Sequence, residues 1–197
     1  MALATPVPVL TVSNGTTEFM RALDRAEPLQ YSYRQSIYEV TVSETLAADA
    51  TSPKGAWISY TAGAVDRVSG ELVPSCKPAS GDTYPIGDTT VSCAATDAAG
   101  NTGSASFVVH VRGAHEQLEN TRSWLAAQGV DPALAMKLDG ELADVEKQID
   151  AGRSNGACGG LADLGAEVSK QAGKKLTADQ AGRLTADAAR VGAVIGC

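Results

Sequence analysis

Aromatic side chains make up only 5% of the 197 residues, with two Trp, five Tyr and two Phe. Cores must then be built from Val, Leu, Ile and Ala, and a deep pocket lined by rings is not expected. Histidine is scarce too: His110 and His115 are the only two, and no two cysteines are spaced as CxxC. A zinc site needs tighter ligand spacing than this, so neither a metal nor a cofactor is expected. No run of 18 apolar residues occurs, which excludes insertion by a transmembrane helix. Lys and Arg number 16 against 23 Asp and Glu, a net charge of -7, and the cations form no cluster. That balance argues against nucleic acid and anionic membrane surfaces as partners. No Ser or Cys nucleophile pattern accompanies either histidine, so both read as surface residues, with no catalytic residues and no enzyme.

Four cysteines are present, Cys76, Cys93, Cys158 and Cys197. Two disulfides are the expected use, and disulfides persist in oxidising compartments. Met1 to Leu10, MALATPVPVL, is not a signal peptide, because it lacks a basic start and carries two prolines in its short apolar run. The chain is therefore expected to be extracellular, with its export signal elsewhere: a piece of a longer secreted protein, or one with a misplaced start.

Residues 1–36 read as an N-terminal segment, either the end of an upstream domain or a loosely packed linker. Pro6 and Pro8 favour an extended start, with a short edge strand at Val9 to Val12. Asn14-Gly15 signals a turn, and Asn14-Gly15-Thr16 matches a glycosylation sequon. Thr17 to Ala26 predicts a short helix that Pro28 stops, and Leu29 to Tyr33 is extended.

Residues 37–112 read as a β module. Ile37–Val42, Trp57–Tyr60, Thr89–Ala95 and Ser104–Val111 alternate or are β-rich, and Gly, Pro, Asn or Asp punctuate each run. Short strands with frequent turns predict an antiparallel sandwich. Asp97 to Asn101 reads as a hairpin turn, with Gly100 free to take positive φ. Its most patterned stretch, Cys76 to Thr102, reads as two strands and two turns. A Cys76–Cys93 bridge would pin one strand to its neighbour and stabilise this thin core by roughly 3 kcal/mol.

Residues 113–197 read as a small antiparallel helical bundle, with Gly113 as a hinge. Ala114 to Gln128 carries Leu118, Trp124 and Leu125. Asp131-Pro132 opens a second helix whose Leu134, Leu138, Leu142, Val145 and Ile149 form one core face. Gly152 to Gly160 reads as a loop holding Cys158. Leu161, Leu164 and Val168 mark a third helix, ended near Gly173. Thr177 to Gln180 is a capping box before a last helix lined by Leu184, Ala188, Val191 and Ile195. Gly165, Gly182 and Gly192 cost about 1 kcal/mol each in propensity and suggest close helix approach. Pairing within modules, Cys76–Cys93 and Cys158–Cys197, is favoured among the three alternatives, because the others need the modules to dock rigidly across Gly113. The second bridge is worth roughly 4 kcal/mol on loop length.

Several motifs add a family resemblance. They are Ala50-Thr51-Ser52-Pro53-Lys54-Gly55-Ala56, Ala64-Val65-Asp66, and Cys76-Lys77-Pro78-Ala79-Ser80-Gly81. After them come Tyr84-Pro85-Ile86-Gly87-Asp88-Thr89-Thr90-Val91 and Cys93-Ala94-Ala95-Thr96-Asp97-Ala98-Ala99-Gly100-Asn101. In order and spacing the β module resembles a HYR domain, the hyalin repeat of immunoglobulin-like fold. That resemblance implies an extracellular adhesion module, often one of several in a chain, with no activity; members usually carry Phe at the place of Tyr84. The helical half, through Leu138–Ile149, Leu161–Val168, Gly173-Lys174-Lys175-Leu176-Thr177 and Gln180-Ala181, resembles a FIMAH-type helical domain. This implies a small accessory bundle without established chemistry. In this order the two resemble the tail of a secreted Gram-positive, actinobacterial protein.

Few residues invite a sharper reading. Asp66, Asp82, Asp88 and Asp97 could gather calcium, but no repeat spacing supports it and solvated turn roles are expected. Glu141, Asp144 and Glu146 read as helix-surface charges rather than paired acids. Trp57 and Tyr60 are the only ligand-binding candidates, as an aromatic platform for sugar; core packing is the expected role of Trp57. The whole then reads as a monomeric, non-enzymatic adhesion or spacer region, with a protein or a cell-surface polysaccharide as partner. The alternatives are an accessory tail of a secreted hydrolase and a carbohydrate-binding module.

Overall fold

The computed structural model describes residues 9–12, 39–43, 46–66 and 69–197. The helix expected over Thr17 to Ala26, the Asn14-Gly15 turn with its sequon, and the extended Leu29 to Tyr33 lie outside the described residues. Among the described residues β-strands come first and four helices follow. The strands are β1 (Val9–Val12), β2 (Glu39–Ser43), β3 (Leu46–Asp49), β4 (Ala56–Ile58) and β5 (Ala62–Asp66), then β6 (Gly70–Leu72), β7 (Ser75–Lys77), β8 (Asp82–Tyr84), β9 (Gly87–Thr96) and β10 (Thr102–Arg112). They form sheets ordered β1-β2-β5-β6, β3-β10-β9-β7 and β4-β8. Two compact units result: one takes its residues from 1–46, 59–82 and 90–108, the other from 47–58, 83–89 and 109–197.

In the first unit, β1 is an edge strand, paired antiparallel to β2 with Leu10 opposite Val42. β2 pairs antiparallel with β5, and β5 with β6. The stretch from Cys76 holds one strand more than its alternation suggests, because β7 and β8 are only three residues long. So short a run carries too few alternations to be recognised. Cys76 stands opposite Cys93 in the β7–β9 register and is bridged to it, Cα to Cα 4.0 Å. Val91, Cys93 and Ala95 alternate inward on β9, and Phe107 does so on β10.

In the second unit, the turn Ser52–Gly55 closes on itself through Gly55 N–H donating to Ser52 O at 3.0 Å. Gly55 has φ +108°, and a Cβ there would lie 1.8 Å from the carbonyl oxygen of fully buried Tyr84. Only glycine satisfies both the dihedral and the approach. The helices are α1 (Ala114–Ala126), α2 (Pro132–Asp150), α3 (Ser154–Gln171) and α4 (Ala178–Ile195). Helix α1 packs on α2 and α4, and α3 packs on the same two. Asp131 caps α2 by accepting from Leu134 N–H, with Pro132 opening the helix. Thr177 and Gln180 form the capping box of α4. Leu118, Leu134, Leu138, Leu142, Val145, Leu164, Val168, Leu184 and Val191 are buried, so the apolar stripes of all four helices face inward. No helix among the described residues is long and apolar enough to cross a membrane.

Two readings of the glycines need correction. Cys158 does not lie in a loop, because α3 begins at Ser154 and runs through Gly156, Gly159 and Gly160. Tertiary packing overrides propensity here. A Cβ on Gly160 would come within 2.7 Å of Val145 Cγ2, so this glycine lets α3 close on α2, whereas one on Gly156 would meet only the mobile end of Gln148. Gly165 and Gly182 have nothing within 4 Å of such a Cβ, and Gly192 meets Cys197 and Leu161 at ordinary contact distance. The Cys158–Cys197 bridge, Cα to Cα 5.7 Å, ties the first turns of α3 to the residue after Gly196. There Cys197 N–H donates to Gly192 O and Gly196 takes φ +84°, the six-to-one closure of a Schellman end.

Candidate functional site

Trp57 and Tyr60 fall in different units. Strand β4 turns Ala56 and Ile58 inward, so the period of two points Trp57 outward, and it is 66% exposed. Core packing is thus not its role. Tyr60 is half-buried and committed to its own fold: its hydroxyl donates to Pro78 O at 2.6 Å, and its ring meets Phe107 edge-on at 5.0 Å. Its backbone N–H donates to Ser80 Oγ at 2.9 Å, and Ser80 Oγ donates back to Tyr60 O at 2.7 Å. A cleft of about 340 Å³, lined by Tyr60, Pro74, Ser75, Cys76 and Ser80, opens beside it.

Of the four carboxylates read as solvated turn residues, Asp66, Asp82 and Asp88 lie at strand ends and only Asp97 in a turn, and Asp66 and Asp97 are buried. Asp66 is 2% exposed and accepts from Ser69 N–H at 2.6 Å. Asp97 is 6% exposed and accepts from Ala99 N–H, Asn101 N–H and the Asn101 side-chain amide. The Asn101 amide holds the Asp97 carboxyl below its ordinary value, against burial and the like charge of Asp66. Asp82 accepts from Ala79 N–H at 3.0 Å.

Asp88 instead serves a histidine. His110, near the end of β10, has Nδ1 2.5 Å from Asp88 Oδ1 and Nε2 2.8 Å from Glu116 Oε1 on α1. The hydrogen bond to Asp88, then that to Glu116, raises the imidazole above its ordinary value. The other oxygen of Glu116 accepts from Gly113 N–H at 3.3 Å and so caps α1.

A polar network that the sequence did not reveal begins one turn later. Gln117 is 1% exposed, and its amide donates to Ala50 O at 3.0 Å and to Arg112 O at 2.9 Å. Its oxygen accepts from Arg190 Nε on α4 at 2.9 Å. Arg190 also reaches Asp187 Oδ1 at 2.8 Å and Asp49 Oδ2 at 3.2 Å, while Arg112 Nε meets Asp49 Oδ1 at 2.6 Å. Asp187, 2% exposed, takes Arg183 Nε at 2.7 Å and Thr121 Oγ at 3.3 Å. Gly113, read from the sequence as a hinge, is spanned by these bonds. The signal available was a buried-face polar pair, Gln117 and Thr121, one turn apart; their partners Ala50, just after β3, and Asp187 and Arg190 on α4 lie too far along the chain to read.

His115 stands among carboxylates. Its Nδ1 is 3.2 Å from Glu146 Oε1 and 3.6 Å from Asp150 Oδ1, and its Nε2 is 3.6 Å from Glu119 Oε1. Arg122 holds the other oxygen of Glu146 at 3.0 Å and pairs twice with Asp139, at 2.7 and 3.2 Å. The Asp139 contact raises Arg122 and lowers Asp139.

No curated protein and no solved structure matches the chain. One family model does: residues 39–111, somewhat more than a third of the 197 residues and nearly the whole β part, match the HYR domain.

Proposed function

We propose that this chain is a non-enzymatic, extracellular adhesion or spacer region of a larger secreted or surface bacterial protein. In this reading the HYR-like part is an immunoglobulin-like sandwich and the four helices are a FIMAH-like accessory bundle. The match of residues 39–111 to the HYR domain carries the proposal. Two disulfides suit an oxidising compartment. A spacer also needs a stiff joint, and Gln117, Arg190 and Asp49 supply one within the second unit. The test is a spin-label distance between Lys54→Cys and Lys147→Cys, two exposed positions of that unit. A single narrow distribution is expected. A broad or bimodal one would end the spacer reading.

Exposed Trp57 favours a second reading, in which the partner is a cell-surface polysaccharide stacked on the indole. Retention of the chain on insoluble cell-wall polysaccharide should then disappear in Trp57→Ala, with the circular dichroism unchanged. Absence of retention in the unmodified chain removes this reading.

A further inference from the structure

We propose that His115, Glu119, Glu146 and Asp150 form a site for one divalent transition-metal ion of the zinc class, bridging α1 and α2. His115 and Glu119 are four apart on α1, and Glu146 and Asp150 are four apart on α2, so each pair shares one helix face. The packing of α1 against α2 brings the two pairs together. One ligand atom from each of His115, Glu119 and Glu146 lies within 4.8 Å of the others.

Two of the three contacts to His115 are 3.6 Å, beyond hydrogen-bond length, and the third is 3.2 Å. His110, the other imidazole, shows what a hydrogen-bonded histidine looks like in this chain, with contacts of 2.5 and 2.8 Å. A tetrahedron with metal–ligand bonds of about 2.0–2.1 Å has edges of about 3.3–3.4 Å. The separations of Nδ1 from Glu146 Oε1 and Asp150 Oδ1, 3.2 and 3.6 Å, bracket that edge. Nδ1, which faces Glu146 and Asp150, is the coordinating nitrogen, and the exposed Glu119 side chain swings in to complete the set.

Charge and support agree. Three carboxylates surround one imidazole, and the neighbouring cation, Arg122, is already held twice by Asp139. Arg122 also binds Glu146 Oε2, which orients Glu146 and leaves Oε1 for the ion, as an outer-shell partner does. A polar cleft of about 550 Å³, lined by Glu119, Asn120, Arg122, Ser123 and Asp139, adjoins the site on the Glu119 side. One imidazole with carboxylates favours zinc over calcium, which takes six to eight oxygens.

The experiment is a titration of the whole chain with zinc chloride, by calorimetry and by NMR of the imidazole protons. Only two histidines contribute signals, so the site reports itself. One equivalent should bind, shifting the His115 resonances and leaving those of His110 in place. His115→Ala, an exposed position, should abolish binding, and His110→Ala should not. Arg122→Met should weaken it about 10–100-fold, the range for an outer-shell partner. Calcium chloride should shift nothing. Zinc binding that survives His115→Ala, zinc that shifts His110, or no binding at all would each overturn the proposal.

Discussion

Gln117→Leu is the most informative single change, because it removes three hydrogen bonds while keeping the side chain's bulk. The two carbonyl oxygens it serves do not suffer equally. Arg112 O also accepts from Ala50 N–H at 2.9 Å and stays satisfied. Ala50 O loses the Gln117 donor in a residue that is fully buried, and leaving such an acceptor unmade costs about 1–3 kcal/mol. Arg190 Nε loses its bond to Gln117 while Nη2 keeps Asp187 and Asp49, and the side chain is 29% exposed, so about 1 kcal/mol is a fair share. The expected loss is therefore about 2–4 kcal/mol. Urea unfolding followed by helical ellipticity measures it as a lower midpoint at an unchanged slope. A cycle with Arg190→Met should show the two sites coupled, since they share a bond. A loss under about 0.5 kcal/mol, with no coupling, would refute the view that this network fastens the end of β10 to α1 and α4.

Gly55→Ala should destabilise by about 2–4 kcal/mol, combining a left-handed backbone with a collision against Tyr84 O, and should lower the midpoint of thermal unfolding. Two helical glycines on α3 should respond with opposite signs in the same assay. Gly160→Ala lowers the midpoint, because Val145 stands 2.7 Å from the new Cβ; Gly165→Ala raises it by the equivalent of about 0.5–1 kcal/mol, because nothing is near. Replacing Cys158 and Cys197 together by Ser should cost about 4 kcal/mol on the entropy of a loop with a sequence separation of 39. His110 gives a pH dependence: its imidazole is raised in the folded chain, so its contribution is complete below the unfolded value of about 6.5 and fades as pH climbs through the folded one. Stability should thus decline from slightly acid to slightly alkaline pH, and His110→Gln should flatten that decline.

What could be read from the sequence was whatever is written within one element. The α2 stripe from Leu134 to Val145, the caps at Asp131 and Thr177, and the alternation of Val91, Cys93 and Ala95 are local patterns, and the molecule uses them. The glycines misled, because a propensity scale weighs Gly160 and Gly165 alike. Only the partner helix distinguishes a glycine that admits Val145 from one that faces nothing. Trp57 misled in a similar way: a large ring in a short strand suggests a core, but Ala56 and Ile58 on either side already claim the inward face.

The two clusters on the helices show where such reading stops. Both halves of the His115 cluster are visible as pairs four residues apart, His115 with Glu119 and Glu146 with Asp150. Helix surfaces carry many such pairs, and most serve only as solvated charge. Whether two pairs meet depends on the axial register of α1 against α2, and one helical turn of slip, about 5.4 Å, would separate them entirely. Register is set by the apolar packing of the two helices, whose buried side chains include Leu118 and Leu125 on α1 and Leu138 and Leu142 on α2. The same apolar contacts that hold the helices together thus decide which charges face one another. Substituting Leu118 would therefore be expected to disturb the His115 resonances even without zinc, whereas Leu184, on α4, should leave them alone.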